Sequence, residues 1–159
     1  MPSPVKIWVL GSGDPFGSGG RNQSAYLVEA GGRRVLLDCG ASCVASLKKL
    51  GMDTAALDLV LLTHLHGDHV AGLPFLFHDY QHATLRQSPL TVAGPRGVRR
   101  KVESIYRVLF PGRRKRRFRV EYRVLRAGRS FRPPGMREVR VAPFRVRHRA
   151  SGVDFGYLL

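Results

Sequence analysis

Three histidines and one aspartate fall within six residues of this chain, in the run His64-Leu65-His66-Gly67-Asp68-His69. The whole sequence contains only six histidines, so half of them are concentrated here. Imidazole and carboxylate groups together are typical ligands of zinc or a similar borderline divalent metal. The run therefore predicts a metal site. An exposed polar turn that binds no metal is the alternative interpretation.

The spacing of these side chains suits a single pocket. The preceding apolar residues 57–62 are typical of a buried strand, in which side chains two residues apart point the same way. We therefore expect His64 and His66 to reach one metal from the end of that strand. Gly67 is expected to let the backbone turn sharply, so that the aspartate and the last histidine face the same pocket. This arrangement suits two adjacent metals, or one metal beside an acid–base carboxylate.

The elements that position the motif are predicted from apolar periodicity. Gly31-Gly32 indicates a tight hairpin between two of the strands. Near the end of the chain, alternation places Phe144, Val146 and His148 on one face, which we expect to be the core side. Strands are expected over residues 5–10, 24–29, 33–37, 57–62, 90–93, 118–124 and 139–146, and helices over residues 41–50, 70–77 and 95–109.

Several segments resemble one known family. The run Thr63-His64-Leu65-His66-Gly67-Asp68-His69, followed by Gly72-Leu73-Pro74, resembles the signature of the metallo-β-lactamase-fold hydrolases and, within them, the ribonuclease Z-like branch. Leu10-Gly11-Ser12-Gly13, Leu36-Leu37-Asp38-Cys39-Gly40 and Ala93-Gly94-Pro95-Arg96-Gly97 match as well. The resemblance implies an α+β fold, a four-layer αββα sandwich. The length of the chain predicts that residues 1–159 form a single domain.

The resemblance also implies the ligands. One zinc would be held by His64, His66 and His148, and a second metal by Asp68 and His69, with Mn²⁺ as the alternative to Zn²⁺. Three neutral imidazoles leave a coordination position for water, whose pKa can then fall to about 7. Asp68 is the candidate catalytic residue, which would orient or deprotonate that water.

Asp38 has two interpretations of equal standing. It ends a predicted strand and could be an outer partner that fixes the tautomer of a metal-binding histidine. Alternatively, it is an ordinary turn aspartate, which hydrogen-bonds to the local backbone.

The end of the chain departs from the family pattern. That pattern requires, after His148, an aspartate that bridges the metals and a final histidine. Asp154 is the only carboxylate after His148, and it lies too close in sequence to match. The last five residues have the character of a strand interior. We therefore expect a form that is incomplete at the C-terminus and holds roughly the first two-thirds of the family domain.

The positive charge is concentrated in one part of the chain. Residues 1–95 hold seven basic and seven acidic residues, whereas residues 96–159 hold twenty Lys or Arg and four acidic residues. Such a field attracts phosphate polyanions, and arginine suits bidentate phosphate contacts. A solvated loop or an arginine-rich genome composition would explain the charge equally well. The candidate nucleic-acid-binding residues are those at the peak of the charge, Arg113, Arg114, Lys115, Arg116 and Arg117.

Motif and charge together predict a zinc-dependent hydrolase of phosphodiesters, resembling the endonucleases that process tRNA 3′ ends. One departure is Phe75, which stands where that enzyme usually has glycine. A hydrolase of small phosphodiesters, sulfate esters or lactones is the first alternative. The second is a non-catalytic fragment that binds RNA through its arginines.

The sequence also bounds location and partners. It contains no secretory signal and no apolar stretch approaching the ~20 residues of a membrane span. We therefore expect a cytoplasmic protein without a membrane partner. The expected partners are RNA, tRNA or a small phosphodiester, and the resemblance allows a homodimer.

Overall fold

The structure is a computed structural model of the chain and describes residues 4–112, 115–147 and 154–159. Its main feature is a six-stranded sheet whose strands follow chain order from one edge to the other. The second strand pairs antiparallel with both the first and the third, whereas the third to the sixth strands are parallel to one another. The strands are β1 (Lys6–Gly11), β2 (Ala25–Ala30), β3 (Arg33–Leu37), β4 (Leu59–Leu61), β5 (Leu90–Gly94) and β6 (Val120–Val124).

Helices occupy the crossovers between the parallel strands, as parallel connections require. Single-turn 3₁₀ segments are found at Ser18–Gly20 and Thr54–Ala56. One face of the sheet packs against the helices, because alternate strand residues such as Leu36, Val60 and Val92 point into the same buried cluster as the helical side chains. The helices are α1 (Cys43–Lys49), α2 (Gly67–Val70), α3 (Gly72–His82) and α4 (Val98–Leu109).

The opposite face of the sheet supports a second, smaller sheet. Its strands β7 (Ala142–Val146) and β8 (Asp154–Leu158) are antiparallel. Leu59 and Leu61 form a second buried cluster with Val141 and Phe155. The described residues thus form three layers, which are helices, large sheet and small sheet. A second helical layer, as an αββα sandwich would require, is not among them.

The predicted face of β7 is wrong. Phe144 and Val146 are 44% and 42% exposed, whereas Val141 and Pro143 are buried. The apolar alternation changes phase near Pro143, and the residues before that point face the large sheet. The ring of Phe144 instead covers the cross-strand neighbour Gly156, where an added Cβ would lie 2.2 Å from the ring.

The other predicted elements agree closely with the structure. The hairpin at Gly31-Gly32 is present, and both glycines have the positive φ that a tight turn of this kind requires. The longest difference is α3, which continues five residues beyond the predicted end at Phe77. None of the helices in the described part of the chain is both long and apolar enough to traverse a bilayer.

Candidate metal centre

The histidine motif directly follows β4 and ends in the first turn of α2. Since β3, β4 and β5 are parallel, their carboxyl ends meet at the same edge of the sheet, where open α/β sheets usually bind ligands. This places Asp38, one residue beyond β3, next to the motif. The backbone N–H of Asp38 donates to the carbonyl of Leu61 at 2.8 Å, which continues the strand pairing into the site.

Asp38 is the hydrogen-bonding centre of this edge. Its buried carboxylate accepts from the backbone N–H of Thr63 at 2.8 Å and from the Thr63 hydroxyl at 2.9 Å, and lies 2.7 Å from His69 Nδ1. Its φ of 57° is left-handed, a conformation that few residues other than glycine adopt but in which aspartate is enriched. The unusual backbone thus aims one carboxylate at both ends of the motif.

The contact with Asp38 defines the tautomer of His69. An ionised carboxylate only accepts, so Nδ1 of His69 donates its proton to Asp38 and Nε2 keeps the lone pair. Nε2 lies 3.3 Å from Oδ2 of Asp68. In this tautomer two electron-pair donors face each other with no proton between them, and a proton or a metal ion at that point satisfies both.

A similar relay reaches His64 through Thr63. The Thr63 hydroxyl donates to Asp38, so its oxygen can accept from His64 Nδ1 at 2.9 Å. His64 therefore keeps its lone pair on Nε2. The ring of His64 is centred 3.9 Å from that of His69 and 4.7 Å from that of His66. The structure brings together the five predicted residues of the metal site that it describes, namely Asp38, His64, His66, Asp68 and His69.

The electrostatic environment differs across the cluster. Burial lowers the pKa of His64, and the neighbouring ring of His69 lowers it further. Burial also acts to lower the pKa of His69, but the hydrogen bond to Asp38 and the charges of Asp38 and Asp68 outweigh it, so the pKa of His69 is raised. Negative charge is thus concentrated on the His69 side, which favours a cation there.

Two glycines allow the backbone segments around the site to approach closely. The N–H of Cys39 donates to the carbonyl of His69, and the N–H of Gly72 donates to the carbonyl of Cys39, both at 2.8 Å. A Cβ on Gly40 would lie 2.4 Å from the Asp68 carbonyl oxygen, and one on Gly72 would lie 2.2 Å from the Gly40 carbonyl oxygen. The segment after β3 is therefore packed backbone to backbone against the motif.

The predicted role of Gly67 is wrong. Gly67 does not have a positive φ, and an added Cβ would meet no atom within 4 Å. It is the first residue of α2, where most residues fit. The chain turns instead at His66, whose extended backbone, with φ −72° and ψ 157°, precedes the helix.

The donor set fits a divalent metal only in part. Ligand distances of about 2.1 Å with tetrahedral angles put neighbouring ligand atoms about 3.4 Å apart. The 3.3 Å between His69 Nε2 and Asp68 Oδ2 matches that spacing. Within residues 4–112, 115–147 and 154–159, however, no three His, Cys, Asp or Glu side chains converge as a complete metal-binding group. The predicted ligand His148 lies outside these residues.

Asp154 lies beside the site, although its position in the sequence does not match the bridging aspartate of the family pattern. It is 4% exposed, and its charge acts to raise the pKa of both His64 and His69. The following residue, Phe155, donates its N–H to the carbonyl of Thr63 at 2.9 Å, so β8 begins beside the motif. A carboxylate inside an apolar strand was the available signal, because such groups are seldom buried without a charged or polar neighbour.

The predicted nucleic-acid-binding residues divide into three groups. Arg113 and Arg114 lie outside the described residues. Lys115 and Arg117 are exposed. Arg116 is largely buried in an ion pair with Glu103, at 2.7 and 2.9 Å, so its guanidinium is already occupied.

Comparisons with known proteins agree with this geometry. Ribonuclease Z of Bradyrhizobium diazoefficiens is 36% identical over 153 residues, covering 94% of this chain and 48% of that protein. The short form of human tRNase Z superposes with a TM-score of 0.76 and 26% identity, covering 95% of this chain and 63% of that one. The metallo-β-lactamase fold protein YhfI from Bacillus subtilis superposes with a TM-score of 0.73 and 19% identity, covering 98% and 57% of the two chains.

These likenesses confirm the predicted fold and branch. The fold and the histidine motif are those of a metallo-β-lactamase-fold protein of the ribonuclease Z-like type. A family model described as anti-Pycsar protein Apyc1 matches residues 5–98, more than half of the chain, and the chain belongs to that family. The chain spans about a third to a half of the length of the curated relatives it matches.

Proposed function

We propose that this protein is a metal-dependent phosphodiester hydrolase that uses Zn²⁺, with Mn²⁺ as the alternative. The observation that carries the proposal is the pair of electron-pair donors His69 Nε2 and Asp68 Oδ2, which lie 3.3 Å apart, with the ring of His69 oriented by Asp38. An anionic, partly buried pair of this kind attracts a divalent cation.

Each residue has an assigned role in the proposal. His64, His66 and His148 hold one metal, and Asp68 and His69 contribute to a second. Asp38 keeps the lone pair of His69 directed into the site through its hydrogen bond to Nδ1, as outer-sphere carboxylates do in metal sites. When bound, zinc lowers the pKa of a coordinated water towards neutrality and polarises the phosphoryl group.

Asp68 is the proposed acid–base residue. Its carboxylate accepts a proton from the attacking water as the water oxygen adds to phosphorus. The ester P–O bond then breaks, and Asp68 passes the proton it received on to the leaving oxygen. Asp68 is half-buried, and its Oδ2 lies 3.3 Å from Nε2 of His69, which holds the carboxylate at the site.

RNA is the first substrate class under this proposal. The relatives named ribonuclease Z and tRNase Z support it, as does the excess of arginine in the second part of the chain. Hydrolysis of small phosphodiesters is the second candidate, because metal-assisted attack acts on the phosphodiester bond itself and does not require a long RNA strand.

The proposal is tested on the purified chain by metal content and turnover. Bis(p-nitrophenyl) phosphate hydrolysis is expected to disappear on chelation and to return with Zn²⁺ or Mn²⁺. Cleavage of a precursor tRNA is then compared with turnover of the small diester. Turnover of the diester alone would favour the second candidate. A folded chain that binds no metal would contradict the metalloenzyme proposal and favour a non-catalytic RNA-binding protein.

Cytoplasmic location and a homodimeric state remain predictions of the sequence analysis. Sedimentation of the purified chain tests the second of these directly, and a monomer at all concentrations would contradict it.

A further inference from the structure

We propose that a groove between α4 and β6 binds the RNA strand and leads it to the candidate metal centre. The inference rests on the proposed function, because it concerns substrate of the same site. The groove consists of two adjoining depressions of about 910 and 730 Å³. Both are lined by Glu103, Arg107, Arg116 and Val120, so they form one continuous surface.

The walls of the groove carry unpaired positive charge. Arg99, Arg100 and Arg107 line it from α4, and Arg117 lines it from the opposite side. All four are exposed, and in the part of the chain that the structure describes none of them forms an ion pair. Arg107 uses one N–H for the carbonyl of Glu103, which holds the side chain along the helix. Most of its donors remain available to a ligand.

The floor of the groove is electrically neutral. Arg116 forms a two-pronged ion pair with Glu103, and the hydroxyl of Tyr122 donates to the same carboxylate at 2.7 Å. The Arg116 guanidinium also lies 4.4 Å from the ring centre of Tyr106 and 4.9 Å from that of Phe77. Glu103 is the only carboxylate among the described lining residues, so the wall arginines are not offset by a free anion.

One end of the groove meets the histidine motif. Gly97, the residue before α4, lines the larger depression. A Cβ built on Gly97 would lie 3.8 Å from Cδ1 of Leu65, the residue between His64 and His66. The Gly97 end of the groove therefore lies beside the segment that carries the motif.

The spacing of the arginines favours a ligand with several phosphates. Arg99 and Arg107 are eight residues apart on one helix, which corresponds to about 12 Å along its axis. Side chains attached this far apart suit successive phosphates of an RNA strand. Guanidinium groups also match phosphate oxygens in a bidentate manner. The groove therefore fits a polyphosphodiester better than a mononucleotide.

The test is the triple variant Arg99→Gln/Arg100→Gln/Arg107→Gln, assayed for binding to a fluorescent single-stranded RNA over a range of salt concentrations. Each lost phosphate contact is expected to reduce the slope of log K against log salt by about 0.7, so the three together reduce it by about 2. The matched control is Arg126→Gln/Arg129→Gln/Arg137→Gln, which removes three exposed arginines outside the groove and is expected to change the slope little. An equal reduction in both variants would overturn the proposal.

Two further measurements separate this inference from the proposed function. The groove variant should hydrolyse bis(p-nitrophenyl) phosphate at the wild-type rate, because the metal centre is intact. Suppose that the wild-type chain hydrolyses no diester, and that RNA affinity falls in the groove variant but not in the control variant. This result would contradict the proposed function and still support the groove as an RNA-binding surface. Diester hydrolysis together with an unchanged salt slope in the groove variant would support the proposed function and overturn the groove. Binding to polyglutamate as tight as to RNA would overturn the assignment of RNA in favour of an acidic protein partner.

Discussion

Residues 4–95 and residues 96–147 use their charged side chains in opposite ways. In the first region each of the seven carboxylates lies within bonding distance of a polar partner, and the most buried of them, Asp38 and Asp79, join separate elements. In the second region basic residues greatly outnumber acidic ones, and among the described residues only Arg116 and Arg119 form ion pairs.

The contrast separates two uses of charge. Buried, fully bonded carboxylates fix side-chain directions to within the tolerance that metal ligands require. Exposed and unpaired guanidinium groups leave the fold unchanged but create a long-range field. We therefore expect substitutions in the first region to alter metal binding or stability, and those in the second to alter encounter with a polyanion.

The largest expected effect comes from removing a motif ligand, which tests the first half of the comparison. His69→Ala removes the donor opposite Asp68, and loss of several kcal/mol of transition-state stabilisation corresponds to a rate decrease of about 10²–10³-fold. The measurement is hydrolysis of bis(p-nitrophenyl) phosphate at saturating Zn²⁺. His82→Ala removes an exposed histidine of α3 as the control. Similar rates for the two variants would place the chemistry elsewhere.

A second effect, on stability, follows from the close backbone packing behind the site. Gly72→Ala would place a methyl group 2.2 Å from the Gly40 carbonyl oxygen, and such overpacking costs about 1–3 kcal/mol of unfolding free energy. The measurement is chemical denaturation. The matched control is Gly67→Ala at the first residue of α2, where nothing lies within 4 Å and the free energy is expected to stay equal or rise by about 0.4–1 kcal/mol. Equal destabilisation of both variants would refute the packing argument.

A third effect concerns the carboxylate that orients the histidines. Asp38→Asn keeps a side chain that tolerates the left-handed backbone but weakens the hydrogen bond to His69 Nδ1. Zinc affinity is expected to fall about 10–100-fold. Competition with a chelator of known affinity measures it. Asp58→Asn, which alters a carboxylate bonded to Arg33 and Arg34, is the control. An unchanged affinity in Asp38→Asn would assign Asp38 a local structural role only.

The smallest effect lies in the second region and depends on pH. Burial raises the pKa of Glu103, but the hydrogen bonds from Arg116 and Tyr122 and the charge of Arg116 outweigh it, so the pKa is lowered. A carboxylate with a lowered folded-state pKa contributes stability above its unfolded pKa of about 4.3, and this contribution is lost as pH falls through the folded-state value. Glu103→Gln should therefore cost about 1–2 kcal/mol at neutral pH and progressively less in acid.

Thermal unfolding of Glu103→Gln at several pH values checks this prediction. Glu121→Gln is the matched control, because Glu121 pairs with Arg119, whose side chain is 74% exposed. That variant should cost less than about 0.5 kcal/mol at every pH. A Glu103 variant whose deficit persists at low pH would show that packing, and not charge, accounts for the loss.

The sequence predicted those elements in which one local pattern dominates. The apolar run of residues 57–62 predicted β4, and the stripe from Val98 to Leu109 predicted α4. Gly31-Gly32 predicted the hairpin, because few other residues accept two successive positive φ angles. The sequence placed Asp38 at the end of a strand but left its role open between an outer partner of a histidine and a turn aspartate.

The remaining features depended on tertiary contacts that local patterns do not encode. The polar end of α3 resembles a surface segment in sequence, yet Asp79 is buried because it accepts from Thr54 and pairs with Lys48. Phe144 is exposed because Val141 and Pro143, on the other face of the strand, are the buried residues. Both faces carry apolar residues, so the alternation alone does not decide which face is buried. In the sequence Arg116 belongs to a basic run typical of a solvated loop, and only its ion pair with Glu103, a carboxylate that Tyr122 also contacts, makes it largely buried.

The left-handed backbone at Asp38 also predicts what a saturation library at this position would retain. Glycine satisfies the conformation but removes the carboxylate, and glutamate keeps the charge but not the conformation. Asparagine meets the conformational demand and part of the hydrogen bonding. Selection for folded protein should therefore enrich glycine, asparagine and aspartate together, whereas selection for metal-dependent turnover should narrow the position to aspartate.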